Sequence, residues 1–264
     1  MDLGLAGKHA LVTGSTAGIG YAIAKGLAAE GASVIVTGRT KATVDAAVTR
    51  IRQAAADPHV TGIVADCATA AGAETVFKQV PELDILVNNL GIYGRNPAFE
   101  IDDAEWQRFF EVNVMSGVRF TRHYAPGMAR RGWGRVVFVS SESALNIPKE
   151  MIHYGMSKTA QLAISRGFAM ELAGTGVTVN SLLPGPTHTE NTDRLRAERA
   201  KAGGITVAEI EAAFFRDFRP TSLLRRFTSA DEVAALGVYL CSEAASGTSG
   251  AAVRVDGGVV NQIM

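Results

Sequence analysis

The chain of 264 residues alternates short apolar runs with longer helical patterns, and this alternation constrains its fold more than any other feature. The runs are rich in β-branched residues and almost uninterrupted by polar ones, as expected for strands that helices cover on both faces. Such alternation is typical of βαβ units around a parallel sheet. We predict an α/β fold, a doubly wound parallel seven-stranded sheet in a three-layer αβα sandwich. Strands are predicted at 9–13, 33–37, 60–65, 85–88, 135–140, 177–183 and 252–255.

Helical patterns lie between the apolar runs, and one section breaks the rhythm. We predict helices at 18–30, 41–56, 69–80, 102–130, 152–173 and 229–241. The section between residues 184 and 220 is irregular and rich in charged side chains. Long irregular connections in compact domains are usually functional lids or mobile loops. We therefore predict a single domain over residues 1–264 with a substrate lid at about 188–222, within which 195–215 has helical periodicity.

The composition excludes several classes of partner. Lys plus Arg and Asp plus Glu both total 26, so no net charge favours nucleic acid or an anionic membrane surface. Cys67 and Cys241 are far apart and form no metal-binding spacing, so we expect neither a disulfide framework nor a metal site. No apolar run approaches about 18 residues, and the first predicted strand begins too early for a signal peptide to precede it. We expect a cytoplasmic protein that binds a small molecule and no membrane.

A glycine-rich turn follows the first predicted strand. Residues 13–20 read Thr-Gly-Ser-Thr-Ala-Gly-Ile-Gly and lead into an amphipathic helical pattern. Gly14 permits the tight turn, Gly18 lets the main chain approach a pyrophosphate, and Gly20 lets the helix pack on the sheet. In this setting the turn predicts dinucleotide binding in a Rossmann-type fold; the alternative is a plain structural turn. The predicted cofactor contacts in this turn are Gly14, Ser15, Thr16, Gly18, Ile19 and Gly20.

The end of the second predicted strand bears on which dinucleotide is bound. NAD-selective sites usually carry Asp or Glu there, to bind the ribose 2′-hydroxyl. This chain has Arg39 and Thr40 at that place. A guanidinium suits a 2′-phosphate through its charge and its forked hydrogen bonds. NADP(H) is therefore favoured; in the alternative, Arg39 is a solvated residue at the start of a helix and NAD(H) is accepted.

Tyr154 and Lys158 are four residues apart on a predicted helix, so their side chains share one face. The pKa of a tyrosine is ordinarily about 10, and a neighbouring ammonium favours the phenolate and lowers that value. The pair thus forms a candidate general acid/base. Taken alone, such spacing also occurs by chance on many helices.

The motifs together resemble those of the short-chain dehydrogenase/reductase superfamily, in its single-domain branch. The resemblance covers roughly residues 6–260, and only the section from about 188 to 222 is individual. The motifs that carry it are Thr13-Gly14-x-x-x-Gly18-Ile19-Gly20, Asn88-Asn89-Leu90-Gly91, Asn113, Ser140-Ser141, Tyr154-x-x-x-Lys158, Pro184-Gly185 and Val255-Asp256-Gly257-Gly258.

The resemblance implies hydride transfer between a nicotinamide and a carbonyl or secondary alcohol, with four catalytic residues. Tyr154 would exchange the proton with the substrate oxygen, while Lys158 would lower the pKa of the tyrosine and hold the nicotinamide ribose. Ser141 would hydrogen-bond the substrate oxygen. Asn113 would hold a water that relays protons to Lys158.

Two of these assignments leave alternatives open. Ser141 lies thirteen residues before Tyr154, as in the family, but Ser140 and Ser143 are runners-up. Asn113 can instead be a helix cap or a packing amide.

Further cofactor contacts are implied by the resemblance. Leu90 departs from the alanine usual at this position, and we expect the larger side chain to narrow the cofactor groove. Cys67 is expected to be a buried, unreactive thiol. The implied contacts beyond the glycine turn, Arg39 and Thr40 are Asp66 and Cys67 at the adenine, Asn89, Leu90 and Gly91 near the adenosine, Tyr154 and Lys158 at the ribose, and Pro184, Gly185 and Thr187 at the nicotinamide.

The residues expected near the substrate are mostly apolar. They suggest a medium-sized hydrophobic ketone or secondary alcohol, and four basic side chains can instead meet an anionic group. We expect the lid to become ordered over bound substrate. The apolar and aromatic candidates are Tyr93, Leu145, Ile147, Met151, Phe214 and Phe215, and the basic ones are Arg95, Lys149, His153 and His188.

Three functions compete. An NADPH-linked ketone reductase is favoured; an NAD-linked alcohol dehydrogenase of the same fold and a non-catalytic dinucleotide-binding sensor are the alternatives. A pure sensor has no chemical use for Asn113, Ser141, Tyr154 and Lys158. By family analogy the helices near 102–130 and 152–173 pack between subunits of a homotetramer or homodimer.

Overall fold

The computed structural model describes residues 2–55 and 59–263. Its main feature is a seven-stranded sheet in which every neighbouring pair of strands is parallel, in the order β3-β2-β1-β4-β5-β6-β9. This confirms the predicted fold class. The strands are β1 (His9–Val12), β2 (Ser33–Gly38), β3 (Val60–Val64), β4 (Ile85–Asn88), β5 (Gly134–Val139), β6 (Val177–Pro184) and β9 (Ala252–Val255).

Two apolar clusters, one on each face, bury the sheet. Successive residues of a strand point to opposite faces, so Val12 belongs to the cluster under the first, second and last helices, and Leu11 to the cluster under the third, fifth and sixth. The helices are α1 (Gly18–Ala29), α2 (Lys41–Ala54), α3 (Ala70–Gln79), α4 (Asp103–Phe110), α5 (Ser116–Arg131), α6 (Ile152–Glu171), α7 (Glu190–Gly203), α8 (Val207–Asp217) and α9 (Ala230–Leu240).

Most predicted bounds agree with the structure to within two residues, but one predicted helix does not. The predicted end of a helix at residue 56 lies outside the described residues. The single helix predicted at 102–130 is wrong, because α4 and α5 are separated by a π-helical segment at Glu111–Met115. There the Ser116 amide donates to the carbonyl of Glu111, five residues back instead of four. Such wide turns are frequent at functional sites.

The irregular section between residues 184 and 220 contains two helices and part of a small sheet. Helices α7 and α8 replace the single helical stretch predicted at 195–215. The strands β7 (Thr187–His188) and β8 (Thr228–Ser229), which were not predicted, pair in parallel at its borders. Phe215 contacts Phe227 with ring centres 5.1 Å apart, so aromatic packing ties α8 to the segment before β8.

Among the described residues, no helix is both long enough and apolar enough to cross a membrane.

Candidate active site

The predicted site residues lie where the parallel strands end. Ligands of open α/β sheets bind in the crevice at the carboxyl ends of the strands, where the strand order reverses. Here β1 and β4 are neighbours, with β2 on the far side of one and β5 on the far side of the other. The segments that end at this edge carry Gly14 to Gly20 after β1, Arg39 and Thr40 after β2, Asp66 and Cys67 after β3, Asn89 to Gly91 after β4, Ser141 after β5 and Gly185 after β6.

The glycine turn needs its glycines for two different reasons. Gly14 has φ +61° and Gly18 has φ +59°, a left-handed conformation that other residues rarely adopt. Gly20 meets a steric limit instead, since a Cβ atom there would lie 2.3 Å from Nδ2 of Asn89. The side chains of Thr16 and Ile19 are half-buried in the same turn.

Asn89 and Thr13 join the turn to the end of β4. The Asn89 amide donates to the carbonyl oxygens of Thr13 at 2.9 Å and Gly14 at 3.0 Å. The Thr13 hydroxyl accepts from the main-chain amides of Asn89 at 3.0 Å and Leu90 at 3.1 Å. The Asn89 side chain therefore shapes the turn, while the Leu90 side chain packs against Gly14.

Ser15 is placed differently from the other residues of the turn. Its hydroxyl is fully buried, donates to the carbonyl of Val12 at 2.7 Å and accepts from the amide of Thr37 at 3.1 Å. These bonds link β1 to β2, so the hydroxyl points into the protein. A cofactor contact by the Ser15 main chain stays a prediction.

The end of β2 presents an exposed basic group. Arg39 and Thr40 are exposed, and the Thr40 hydroxyl caps α2 by accepting from the amide of Thr43. No carboxylate among the described residues forms an ion pair with Arg39. Thr16 lies beside this strand end, since a Cβ on Gly38 would come within 2.5 Å of its methyl group. These residues can together contact a phosphorylated ribose.

The end of β3 carries one exposed and one buried candidate. Asp66 is exposed, and its Oδ1 accepts from the amide of Ala68 at 3.2 Å. Cys67 is buried, and burial raises the pKa of its thiol to about 11. The thiol therefore stays protonated at neutral pH, in agreement with the expected unreactive cysteine.

Asn113 lies in the π-helical segment and is fully buried. Its Oδ1 accepts from the amide of Ile92 at 2.7 Å, and its Nδ2 donates to the carbonyl of Ile92 at 2.9 Å and to the Ser157 hydroxyl at 2.9 Å. The side chain thus fixes the loop after β4 against α6. The predicted water relay from Asn113 to Lys158 stays a prediction.

The hydrogen bonds of the neighbouring serines favour Ser141 over its two runners-up. The Ser140 hydroxyl donates to the carbonyl of Lys158 at 2.9 Å, and the Ser143 hydroxyl donates to Glu142 at 3.1 Å. The Ser141 oxygen accepts from the amide of Ser143 at 3.1 Å, and its hydroxyl faces Tyr154, whose pKa it lowers. Ser141 is therefore the serine that can donate to a substrate oxygen.

Burial shifts the pKa values of Tyr154 and Lys158 in opposite directions. It raises the pKa of Tyr154 to about 12, which the Ser141 hydroxyl partly opposes. It lowers the pKa of Lys158 to about 7. Loss of water disfavours the charged form, which is phenolate for tyrosine and ammonium for lysine. Nζ of Lys158 lies 5.7 Å from the Tyr154 ring centre, and burial is the largest influence on the pKa of the tyrosine. The expectation that Lys158 lowers this pKa during proton transfer stays a prediction.

Sequence reasoning missed Gln161, whose side chain is 1% exposed. It follows Lys158 by three residues, so both side chains lie on one face of α6. Its Oε1 accepts from Nζ of Lys158 at 3.3 Å, and its Nε2 donates to the main-chain oxygen of Asn113 at 2.6 Å. The signal in the sequence was an amide side chain spaced so that it shares a helix face with Lys158.

Sequence reasoning also missed a buried ion pair beside Ser141. Glu142 Oε1 accepts from Nε of Arg219 at 3.0 Å and from Nη2 at 2.7 Å. Burial raises the pKa of Glu142, and the Arg219 charge opposes that shift. The pair connects the segment after α8 to the segment after β5. An acidic residue directly after a buried strand was the only sequence signal.

The residues after β6 lie against the end of β9. A Cβ on Gly185 would lie 2.5 Å from the main-chain oxygen of Asp256, so only glycine allows this approach. Pro184 and Thr187 are buried, and the Thr187 hydroxyl donates to the carbonyl of Gly185 at 2.9 Å. The predicted nicotinamide contacts are thus held in one compact turn.

The structure separates the candidate substrate residues into groups. Tyr93, Leu145 and Ile147 are exposed, whereas Phe215 is buried within the lid. Among the remaining candidates, Lys149 is exposed, Met151 and Phe214 are half-buried, Arg95 lies over the Phe218 ring and His188 bonds to Asp193.

The prediction that His153 can meet an anionic group is wrong. Its ring is fully buried and packs on Phe109 at 4.1 Å between ring centres. Burial lowers the pKa of His153, so the ring is neutral. His153 and Tyr154 are consecutive residues of α6, so their side chains lie on different faces of the helix.

The glycine turn already holds an anion supplied by α7. Helix α1 has no side-chain cap of its own, and the Gly18 amide donates to the carboxylate of Glu190 at 2.9 Å. The amino end of a helix attracts negative charge and presents free amides. A carboxylate stands here in the place of a phosphate, so the turn fits the pyrophosphate of a dinucleotide.

Comparisons with known proteins agree with this geometry. Residues 8–200 match the family model described as short chain dehydrogenase. The uncharacterized oxidoreductase YvaG of Bacillus subtilis is 45% identical over 263 residues, and D-beta-hydroxybutyrate dehydrogenase of Cupriavidus necator is 37% identical over 262. The matches cover 100% and 98% of this chain and 100% of each relative. L-sorbose reductase of Gluconobacter frateurii, complexed with NADPH and L-sorbose, superposes with a TM-score of 0.94 at 32% identity and full coverage of both chains.

The fold and the site are those of an NAD(P)-linked oxidoreductase. The chain belongs to the short-chain dehydrogenase/reductase superfamily and is an enzyme of that family.

Glu190→Gln is expected to strengthen NADPH binding by about three- to tenfold, because a charged hydrogen-bond acceptor no longer competes for the Gly18 amide. Titration of the purified protein with NADPH, followed by fluorescence, measures the change. Glu198→Gln is the matched control, since it removes the same charge from α7 at a residue that pairs with Arg194 instead. Equal affinities for the wild type and both variants would contradict this prediction.

Proposed function

We propose that the protein is an NADPH-linked reductase of ketones, reversible to the oxidation of secondary alcohols. The observation that carries the proposal is the meeting of Ser141, Tyr154 and Lys158 at the crevice beside the glycine turn. An enzyme that stabilises a developing alkoxide needs a hydrogen-bond donor and a proton donor on the same oxygen. Ser141 and Tyr154 supply those two groups.

Proton transfer by Tyr154 is the step that the chain itself performs. A bound reduced nicotinamide would supply the hydride. With a pKa raised to about 12, Tyr154 carries its proton at neutral pH and is in the form that reduction requires.

Ser141 and Lys158 assist that transfer in different ways. Ser141, whose hydroxyl faces Tyr154, would donate its proton to the substrate oxygen and hold that oxygen beside the tyrosine. Lys158, with a pKa lowered to about 7, exchanges protons readily near neutral pH and would stabilise the phenolate left on Tyr154.

Tyr154→Phe is expected to lower kcat by at least about 100-fold, because the ring remains but the transferable proton is lost. The assay is reduction of a panel of hydrophobic ketones and sugars by NADPH, after the fold of the variant has been checked by circular dichroism. Tyr239→Phe, an exposed tyrosine on α9, is the control and should keep full activity. Wild-type rates in Tyr154→Phe would overturn the proposed mechanism.

The preference for NADP(H) over NAD(H) is supported by Arg39. Its exposed guanidinium follows β2, where an acidic residue would repel a 2′-phosphate. The solved L-sorbose reductase, which is similar over its whole length, contains NADPH. NAD(H) use is the alternative if Arg39 points only to solvent.

Arg39→Asp is expected to weaken NADPH binding by about ten- to 100-fold and to leave NADH binding unchanged or stronger. Titration with each cofactor measures the ratio of the two dissociation constants. Arg130→Asp, at the end of α5, makes the same charge change at the opposite edge of the sheet. An unchanged ratio in Arg39→Asp would remove Arg39 from cofactor selection.

The substrate proposal is a carbonyl compound with an apolar portion. Exposed Tyr93, Leu145 and Ile147 support an apolar wall near the segment after Ser141. Helices α7 and α8 form the proposed lid over residues 188–222. Turnover of small hydrophilic sugars alone in the ketone panel would contradict the apolar wall.

Self-association is proposed through α4 and α6. Phe110 on α4 and Met170 on α6 are exposed apolar side chains, with 37% and 66% of their surface accessible. We expect a homotetramer or a homodimer, and static light scattering measures the mass. A mass near that of one 27.8 kDa chain would reject the proposal. Two free, buried cysteines fit the proposed cytoplasmic location.

A further inference from the structure

The Gln161 side chain joins two groups of the site. The ammonium of Lys158 only donates hydrogen bonds, and the main-chain oxygen of Asn113 only accepts them. The Gln161 oxygen must therefore face Lys158, at 3.3 Å, and its nitrogen must face Asn113, at 2.6 Å. This orientation follows from the partners and leaves no second choice for the amide.

The Asn113 oxygen that Gln161 contacts belongs to the π-helical segment. Within an α-helix a carbonyl oxygen is normally used by the amide four residues later. The segment Glu111–Met115 is wound more widely, and its carbonyl at Asn113 accepts from a side chain of α6. A break in one helix and an amide on another thus form one connection.

We propose that Gln161 is a positioning residue of the catalytic site, which ties Lys158 to the main chain of Asn113 and sets how readily Lys158 holds its proton. The inference rests on the proposed function, in which Lys158 assists proton transfer by Tyr154. A neutral amide can do this because it offers an acceptor without adding a charge.

Few acceptors surround the Lys158 ammonium, so each of them matters. The group is 4% exposed, and its acceptors are the carbonyl of Val139 at 2.9 Å and Gln161. Burial disfavours the ammonium and lowers the pKa of Lys158 to about 7, while each oxygen acceptor favours the ammonium. Removing or charging the Gln161 oxygen must move this balance.

The other elements packed around Lys158 bring little charge. Asn113 from the π-helical segment, Gly91 from the loop after β4 and Val139 from β5 are uncharged. The titratable and charged groups on the remaining sides are Tyr154 on α6, with Glu142 and Arg219 beyond it. The described residues place no carboxylate within ion-pair distance of Nζ.

Two substitutions at Gln161 test the proposal because they act in opposite directions. Gln161→Glu keeps the shape and adds a negative charge beside Nζ, which favours the ammonium and raises the pKa of Lys158. Gln161→Met keeps the length but removes the acceptor, which disfavours the ammonium and lowers that pKa further. If Gln161 served only in packing, the two substitutions would not shift the pKa of Lys158 in opposite directions.

Unfolding measured against pH provides a readout that needs neither substrate nor cofactor. Between pH about 7 and 10.5 the unfolded wild type carries a proton on Lys158 that the folded protein lacks. The unfolded state then binds more protons, so stability rises with pH, by about tenfold in the folding equilibrium per pH unit. Lys158→Met removes this dependence and gives the baseline for titration of all other groups.

The expected curves differ among the variants once the Lys158→Met baseline is subtracted. In Gln161→Met the rise in stability begins below pH 7. In Gln161→Glu it begins at a higher pH than in the wild type, because the folded pair keeps its proton. Gln107→Glu, an exposed residue on α4, is the matched control and should follow the wild type.

The pH profile of kcat/KM for ketone reduction should shift to higher pH in Gln161→Glu and to lower pH in Gln161→Met, by about one pH unit or more. With Gln161→Met we also expect kcat to fall about tenfold at pH 7, with KM little changed.

Unfolding curves of Gln161→Glu and Gln161→Met that both follow the wild type would overturn the inference. So would shifts in the same direction for the two variants. Should no ketone be reduced, or should Tyr154→Phe remain fully active, the proposed function fails while the unfolding curves still report on Gln161. Gln161→Glu is nearly isosteric, so the test does not depend on the folding of Gln161→Met.

Discussion

The hydrogen bonds between the end of β1 and the end of β4 hold the two halves of the site together. The Thr13 hydroxyl and the Asn89 amide together use four main-chain groups at the point where the strand order reverses. This contact places the glycine turn beside the loop that continues to Ile92 and Asn113. The parallel strands bring the cofactor and proton-transfer groups to one edge of the sheet, and these polar contacts fix the glycine turn against the loop after β4.

From that edge inward, the chemistry of the site depends on how little water reaches it. Burial changes the pKa values of both Tyr154 and Lys158. It raises the pKa of Tyr154 to about 12 and lowers that of Lys158 to about 7, so the two values move apart. Near neutral pH the tyrosine is protonated and the lysine is balanced between its two forms. Small polar neighbours such as Gln161 then have large effects, because nothing with a full charge pairs with Lys158 among the described residues.

Much of the fold was predictable, because buried parallel strands are apolar along their whole length and glycine turns have a strong signature. The residue types at Ser141, Tyr154 and Lys158 were equally visible in the sequence. The π-helical segment was not, since no proline or glycine occurs at Glu111–Met115 and only tertiary contacts stabilise the wider turn. The error at His153 arose similarly, because a polar residue was assigned to a cleft although its helix turns it into an aromatic cluster.

Contacts between distant segments account for the remaining surprises. Glu190 reaches Gly18 across 172 residues, and Arg219 reaches Glu142 across 77. Spacing along a chain carries no information about such meetings, whereas a pair within one helix, such as Lys158 and Gln161, can be inferred from periodicity. The predictable part of the site is therefore the part whose contacts are close together in the sequence.

The aromatic packing inside the lid has a consequence for engineering. Phe214, Phe215 and Phe227 pack on one another with ring centres 5.0 to 5.2 Å apart, and Arg196 covers Phe227. Helices α7 and α8 therefore have a small hydrophobic centre separate from the two clusters that bury the sheet. Substitutions at the exposed positions of α7 and α8 that spare these rings would leave the folding of the sheet intact.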